Sequence, residues 1–488
     1  MTATADAGVI GMAVMGRNLA KNIESRGNTV AIYNRTWAVT EEVMQWEHGK
    51  NARFVPAKEL KDFVAAIKRP RRIVIMVQAG KGTDAVIEQV APLLEDGDIL
   101  VDGGNAHWGD TDRRIAWAKD FGAKNPGKAF HFIGMGVSGG EEGARIGPSI
   151  MPGGNQDAVG KLMPILKQIS AKVGPKNDEP CVTWCGEGSA GHFVKMVHNG
   201  IEYADMQMIA ECYDVLARGL QMDHGQCAAT FREWNQGELA SFLIELTGKI
   251  ADKKDSDSKT LEKNPDAYLL DAIRDAAGQK GTGKWTTIAA LEHGVAIPTI
   301  TAAVDARLVS SIKIEREAAF KASKKLIKRK KKVKLTTAEL ATALYGAKIA
   351  AYAQGMKLIA AASEQRGYKT DLGSIPAIWR GGCIIRALFL DRITAAFKKQ
   401  PNLASLLVAE EFLPDIARTL PALRKVVAVA SMAGFPVPAL SASLSYIEGY
   451  TTARLPAYVI QAQRDAFGSH TYERNKKPGT WIHSEWLG

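Results

Sequence analysis

The chain has 488 residues, 46% of them hydrophobic and 24% charged, the balance of a globular protein with room for about two to four domains. With 63 basic and 52 acidic residues its net charge is +11, which points to an anionic partner without naming one. Five cysteines are too few for a disulfide framework, and no run of about 20 apolar residues is present to span a bilayer.

Met1–Gly8 lacks the charged segment and apolar run of a signal peptide, so a cytoplasmic protein without a membrane partner is expected. Cys181 and Cys185 are the only close cysteine pair. No second Cys/His cluster stands at zinc-ligand spacing, and no metal is expected.

The first element is an apolar strand, Ala7 to Gly11, running directly into Met12-Ala13-Val14-Met15-Gly16 and an amphipathic helix to about Gly27. Asn28 to Tyr33 is the next strand. A β-α-β unit with a glycine-rich turn is the setting for a dinucleotide pyrophosphate at a helix N-terminus. Ala13 stands where the second glycine of the fingerprint is usual, the smallest available replacement. An acidic residue at the end of the second strand would favour NAD. Here the strand ends Asn34-Arg35-Thr36, a guanidinium with two hydrogen-bonding neighbours, which suits the 2′-phosphate of NADP.

Further strands are expected at Arg72–Val77, Asp98–Asp102 and Phe130–Gly134, with helical patterns between them, which argues for a doubly wound, mainly parallel sheet. Ligands in such sheets sit beyond the C-terminal strand ends. Three loops there are candidates: Val77-Gln78-Ala79-Gly80, Asp102-Gly103-Gly104-Asn105, and Gly136 to Gly143 with Ser138, Gly139 and Gly140. Taken singly, each is also an ordinary turn.

After Trp184 the pattern becomes helical, with no convincing strand. The expected division is an α/β Rossmann-like domain over 1–187, an all-helical domain over 188–453 and a C-terminal tail over 454–488. The helical part opens with Gly188-Ser-Ala-Gly-His-Phe-Val-Lys195-Met-Val-His198-Asn199-Gly-Ile-Glu202-Tyr203. Lys195, His198, Asn199 and Glu202 fall within roughly a 100° arc of one helix face. Periodicity alone makes this a solvated polar face. Two glycines at its start leave room for another backbone or a ligand.

Trp234–Glu245 reads as one capped structural helix. Ala277–Trp285 is a glycine-rich loop with Lys280, Thr282 and Lys284, similar to a phosphate cradle in composition but not in P-loop spacing. Lys324–Lys334 is the strongest basic run. No nucleic-acid motif accompanies it, so it reads as a solvated linker and no nucleic-acid partner is expected. The final residues lack helical periodicity. Trp481 and Trp486 would be a liability in a free tail, so the tail is expected to pack on another surface.

Taken together, these motifs resemble the 6-phosphogluconate dehydrogenase family, the decarboxylating NADP enzymes of the pentose phosphate pathway. The resemblance covers nearly the whole chain. It is carried by Gly11–Gly16, Asn34–Thr36, Val101–Asn105, Val137–Arg145, Ile273–Trp285, Trp379–Arg386 and Gln461–Arg464. The pattern Gly188, Gly191, Lys195, Asn199 matches the wider β-hydroxyacid dehydrogenases.

The resemblance implies roles. Gly11, Met12, Ala13, Val14, Met15 and Gly16 would hold the cofactor pyrophosphate. Asn34, Arg35 and Thr36 would take the 2′-phosphate, and Val77, Gln78 and Ala79 the adjoining ribose. Asn105 would lie between cofactor and substrate. Ser138, Gly139, Gly140, His198 and Asn199 would bind the sugar-acid end of 6-phosphogluconate, and Tyr203, Lys280, Thr282 and Arg307 its phosphate. Arg464 and His470 would come from a partner subunit's tail in a homodimer. Lys195 is the expected base, provided its pKa is lowered from the free value of about 10.4. Glu202 is the expected acid. Ala106 stands where the family usually has serine, which removes one polar side chain beside Asn105.

Two other readings fit parts of the sequence. A β-hydroxyacid dehydrogenase for a short unphosphorylated acid would share Lys195 and Asn199, but leaves Lys280, Thr282, Arg307 and Arg464 without a task. A basic nucleic-acid-binding module would use only the Lys324–Lys334 run.

Overall fold

The computed structural model describes residues 3–45 and 53–486. Met1, Thr2, Leu487 and Gly488, at the outer ends of the first and last expected domains, lie outside the described residues. The first body is a sheet of seven strands: β1 (Ala7–Ile10), β2 (Val30–Tyr33), β3 (Phe54–Pro56), β4 (Arg72–Ile75), β5 (Ile99–Asp102), β6 (His131–Val137) and β7 (Ile150–Gly153). Their order is β3-β2-β1-β4-β5-β6-β7. All neighbours are parallel except β6 and β7, which run antiparallel. The fold is therefore the expected doubly wound α/β sheet, with β3 and β7 added to the predicted strands.

β1, β5 and β7 are buried along their whole length, as helices on both faces require. The strand order reverses between β1 and β4. That switch point is where ligands bind in open α/β sheets.

The second body is helical. At its centre is the helix Ala190–Asp214, packed by the helices Thr282–Glu292, Pro298–Ser311 and Thr337–Arg366. The last of these is fixed at both ends. Thr336 and Glu339 form a reciprocal capping box, and Gly367 closes it in a left-handed conformation. The Ala190–Asp214 helix starts directly on the sheet. A Cβ on its Gly191 would lie 2.3 Å from the carbonyl oxygen of Gly134 and 2.5 Å from the amide nitrogen of Gly153. Gly191 thus admits a backbone, whereas Gly188 serves the turn through its φ of 57°.

Three sequence readings are corrected. The polar face of this helix is not freely solvated: Lys195 and His198 are buried where the helix packs on β6, and Asn199 and Glu202 are half-buried. Trp234–Glu245 is not one helix. His224–Trp234 ends there, Asn235 Oδ1 accepts from the Ser241 amide at 3.0 Å, and a new helix, Phe242–Ala251, begins after Ser241. The expectation of no strand after Trp184 also fails. Tyr472–Arg474 and Lys477–Ile482 pair as an antiparallel hairpin in the tail, closed by Asn475 and Lys476. The hairpin folds onto the tail helix Ala457–Gly468 around the buried Asp465, which accepts hydrogen bonds from the Thr471 and Ser484 amides and the Trp486 indole.

Candidate active site

Gly11 follows β1 with φ of 96°, and a Cβ on Gly16 would stand 1.8 Å from the Gly11 carbonyl oxygen. No side chain larger than hydrogen fits, so turn and helix are held in one close contact. Ala13 has φ of −68°, open to any residue, which explains why alanine serves there. The helix Val14–Ser25 has no side-chain cap, so its first amides are available to an anion. At the end of β2 the Asn34 side chain is engaged inside the protein. Its Oδ1 accepts from the Met12 amide (3.0 Å) and its Nδ2 donates to the Thr36 carbonyl (3.1 Å), bracing the glycine turn. Arg35 and Thr36 are exposed, and Arg35 makes no hydrogen bond or ion pair with the described residues. A dinucleotide with a 2′-phosphate fits these groups: a tight turn held by two glycines, open amides and a guanidinium unpaired among the described residues.

Beyond β4, Val77, Gln78 and Ala79 lead to Gly80, whose φ of 89° turns the chain into the helix Lys81–Val90. Beyond β5, buried Asp102 accepts from the Gly104 amide (2.9 Å) and pairs with Arg114 (2.9 Å), fixing the loop that carries Asn105. Ala106 is buried, His107 caps the next helix by accepting from the Gly109 amide, and Trp108 enters the helical core. His107 meets the edge of Trp285 at 5.3 Å, which ties this loop to the Lys280–Trp285 segment.

The polar face of the Ala190–Asp214 helix lies between these loops. Asn199 Oδ1 is an acceptor only, so His198 Nδ1 donates to it (3.0 Å) and Nε2 takes the Ser138 hydroxyl (3.4 Å). Burial and the nearby Lys195 hold His198 well below the ordinary histidine pKa, hence neutral. Lys195 is 8% exposed and makes no hydrogen bond or ion pair with the described residues. Burial lowers its pKa, opposed by Glu202 and the Cys383 thiol. Burial raises the Glu202 carboxyl above its usual range, offset in part by Lys195 and Arg307. One helix face thus carries an amine biased towards neutrality and a carboxyl biased towards protonation, a pairing suited to base and acid.

A cleft of about 550 Å³ opens over this face. Asn105, Asn199, Glu202 and Tyr203 line one side, and Gly278, Gln279, Lys280, Thr282 and Arg307 the other. Gly281, with φ of 100°, starts the Thr282–Glu292 helix, and the Thr286 hydroxyl bonds the Met196 carbonyl at 3.0 Å. The Arg307 guanidinium sits 3.6 Å above the Tyr203 ring. Two cations therefore stand at the mouth of a cleft whose inner face carries Glu202.

Gly278 and Gln279 join this lining without having been singled out in the sequence. The Trp379–Arg386 segment carries no residue that the sequence assigns to the site. It seats the site from behind: Trp379 meets His198 edge-on at 5.7 Å, and a Cβ on Gly139 would touch the Gly382 carbonyl at 2.6 Å. The paired glycines of Gly381-Gly382 were the available signal. Arg464 and His470 are exposed in the tail and are not part of the cleft lining. Lys324–Lys334 is exposed in all its cations, in the linker reading's favour. Among the described residues no cluster of three or more His, Cys, Asp or Glu could hold a metal ion, and no helix is long and apolar enough to cross a membrane.

A family model for the NAD binding domain of 6-phosphogluconate dehydrogenase matches residues 6–186, and one for the 6-phosphogluconate dehydrogenase C-terminal domain matches residues 191–486. The chain belongs to the 6-phosphogluconate dehydrogenase family. It is 49% identical to the decarboxylating 6-phosphogluconate dehydrogenase of Lactococcus lactis subsp. lactis, over 99% of both chains. To that of Escherichia coli K12 it is also 49% identical, over 98% of both. The solved structure of Plasmodium falciparum 6-phosphogluconate dehydrogenase superposes with a TM-score of 0.90 at 43% identity, covering 99% of this chain and all of that one. That relative is described in its apo form, with its cofactor NADP+ and with its substrate 6-phosphogluconate.

Proposed function

We propose that the chain catalyses oxidative decarboxylation of 6-phospho-D-gluconate to D-ribulose 5-phosphate and CO₂, with reduction of NADP+ to NADPH, in the oxidative branch of the pentose phosphate pathway. The observation that carries this reading is the opposed bias of Lys195 and Glu202 on one helix face, below Lys280 and Arg307. The full-length relatives support it.

Gly11 to Gly16, with Arg35 and Thr36, would hold the dinucleotide, and Val77–Ala79 its ribose. NADP+, when bound, supplies the hydride acceptor. Lys280, Thr282, Tyr203 and Arg307 would hold the phosphate of the substrate, which places its carboxylate end towards Ser138, Gly139, Gly140, His198 and Asn199. Neutral Lys195 accepts the proton of the C3 hydroxyl as that carbon is oxidised. The ammonium so formed donates to the 3-keto oxygen, stabilising the negative charge that develops there as the C1–C2 bond breaks and CO₂ leaves. Glu202, protonated, then delivers a proton to the carbon that has lost CO₂.

The reading divides the chain at 1–187, 188–453 and 454–488. It makes the active enzyme a homodimer in which Arg464 and His470 complete the partner's site. Support comes from the exposed apolar residues of the tail, Tyr458, Ile460 and Phe467 among them. Five buried, unpaired cysteines accord with a reducing cytoplasm.

The test is NADPH absorbance with purified protein and 6-phosphogluconate, with CO₂ trapped in parallel. NADPH and CO₂ in equal amounts are expected. Turnover of a short hydroxy acid instead would overturn the phosphate-site reading.

A further inference from the structure

Strand β6 reads His131-Phe-Ile-Gly134-Met-Gly136-Val137, two glycines alternating with apolar residues. Glycine inside a strand weakens it, and usually marks a close approach of other atoms. Neither Gly134 nor Gly136 has a left-handed backbone, so conformation does not require glycine at either place. Space does. A Cβ on Gly136 would stand 2.4 Å from the Cβ and 2.8 Å from the Cγ of Lys195, and 3.3 Å from the Gly191 carbonyl oxygen. Gly191 and Lys195 are four residues apart and share a helix face. That face rests on the strand, and the lysine stem lies across Gly136.

We infer that Gly136 is the positioning residue for Lys195: its missing side chain is the seat that holds the lysine stem against the sheet and its amine out of water. The inference deepens the proposed function and rests on Lys195 being the base. The charged and titratable groups facing that amine are His198 and Glu202 from its own helix and Cys383 from the loop after Trp379. β6 itself brings none to the seat. With these groups unchanged, a methyl at position 136 overlaps the Lys195 Cβ, which is fixed to the helix backbone, so the helix must back away from β6 at Lys195 and carry the stem with it. That movement loosens the packing that keeps the amine from water, and water stabilises the ammonium. The amine then returns towards its ordinary basicity.

Gly134 provides the matched control. It lies on the same face of the same strand, but a Cβ there would meet Thr111 Cγ2 (2.7 Å) and His192 Nδ1 (2.8 Å) instead of the lysine. The experiment compares Gly136→Ala with Gly134→Ala in the full-length enzyme, measuring kcat against pH at saturating NADP+ and 6-phosphogluconate. In Gly136→Ala the midpoint of the rising acid limb should move up by about one pH unit, a roughly tenfold loss of turnover below it, with KM for NADP+ unchanged. Gly134→Ala should lose thermal stability and keep its midpoint.

Competitive acetylation of lysines, read by peptide mass spectrometry, follows the Lys195 amine without relying on turnover and should show the same upward shift. Equal midpoints in both variants, with an unchanged labelling curve, would overturn the inference even with Lys195→Met inactive. Turnover by Lys195→Met would instead remove the base assignment, while labelling still reports on the seat. If Gly136→Ala does not fold, Gly136→Ala/Lys195→Gly is compared with Lys195→Gly alone: the two nearest contacts of the methyl, Lys195 Cβ and Cγ, are then gone, so the methyl should cost little stability in that background, and a large further loss overturns the seat.

Discussion

Lys348 and Asp205 form an ion pair closed off from solvent, with Nζ 2.6 Å from Oδ2. The pair bridges the two longest helices, Ala190–Asp214 and Thr337–Arg366, three residues beyond Glu202. Removing one partner strands a buried charge, whereas removing both leaves an apolar contact. Lys348→Met should therefore lose about 3–5 kcal/mol of stability in denaturant unfolding, and Lys348→Met/Asp205→Leu should regain most of it. A double variant no more stable than the single would show that the pair's value is not electrostatic.

Lys195→Met keeps the length of the stem and removes the amine. We expect turnover to fall by roughly 10²–10⁴-fold, while NADP+ binding, followed by fluorescence titration, stays intact. Substantial residual turnover would take Lys195 out of the mechanism.

Glu202→Gln separates the two halves of the reaction. NADP+ reduction should be less impaired than ribulose 5-phosphate formation, because in the proposed mechanism the carboxyl is needed only after CO₂ has left. The pH dependence has a definite sign. Burial lowers the Lys195 pKa, so the neutral base is gained as pH rises. Burial raises that of Glu202, so the protonated acid is lost at a pH above the usual carboxylate range. The wild-type profile should be a bell, and Glu202→Gln should lose its alkaline limb. An equal loss at every step and pH would make Glu202 structural only.

Arg35→Ala tests the cofactor preference. Losing charge-assisted hydrogen bonds to a 2′-phosphate should raise KM for NADP+ roughly 10–100-fold. KM for NAD+ should hardly change, since that cofactor has no group for Arg35 to hold. Parallel changes for both cofactors would place the guanidinium elsewhere.

Arg464→Ala and Lys195→Met should each be inactive or nearly so alone. Co-expressed, they should recover part of the activity, because in the proposed dimer one hybrid site then holds an intact lysine and the partner's arginine. No recovery in isolated heterodimers would mean that Arg464 acts within its own chain.

Much of this site was legible from local sequence. Gly11 to Gly16 follows a strand and opens a helix, and the close contact between the two glycines is a local property. So is the shared face of Lys195, His198, Asn199 and Glu202, which follows from helix geometry alone. The alternation of strands and helices likewise set the layered sheet, because each element has one neighbour-seeking face.

Burial was not legible, because it is decided by distant segments. Whether the lysine face met water or protein depended on β6, whose glycines receive it, and on Trp379–Cys383 behind it. Burial lowers one pKa and raises the other, an effect of enclosure that no periodicity encodes. Asn34 turned inward to brace Met12 because the two strand ends are adjacent only in the folded sheet. Residue types, spacing and local turns belong to the sequence by itself. Which polar face is dry, which amide is engaged and where the cations converge were decided by tertiary packing, since desolvation depends on everything that surrounds a group and not on its neighbours along the chain.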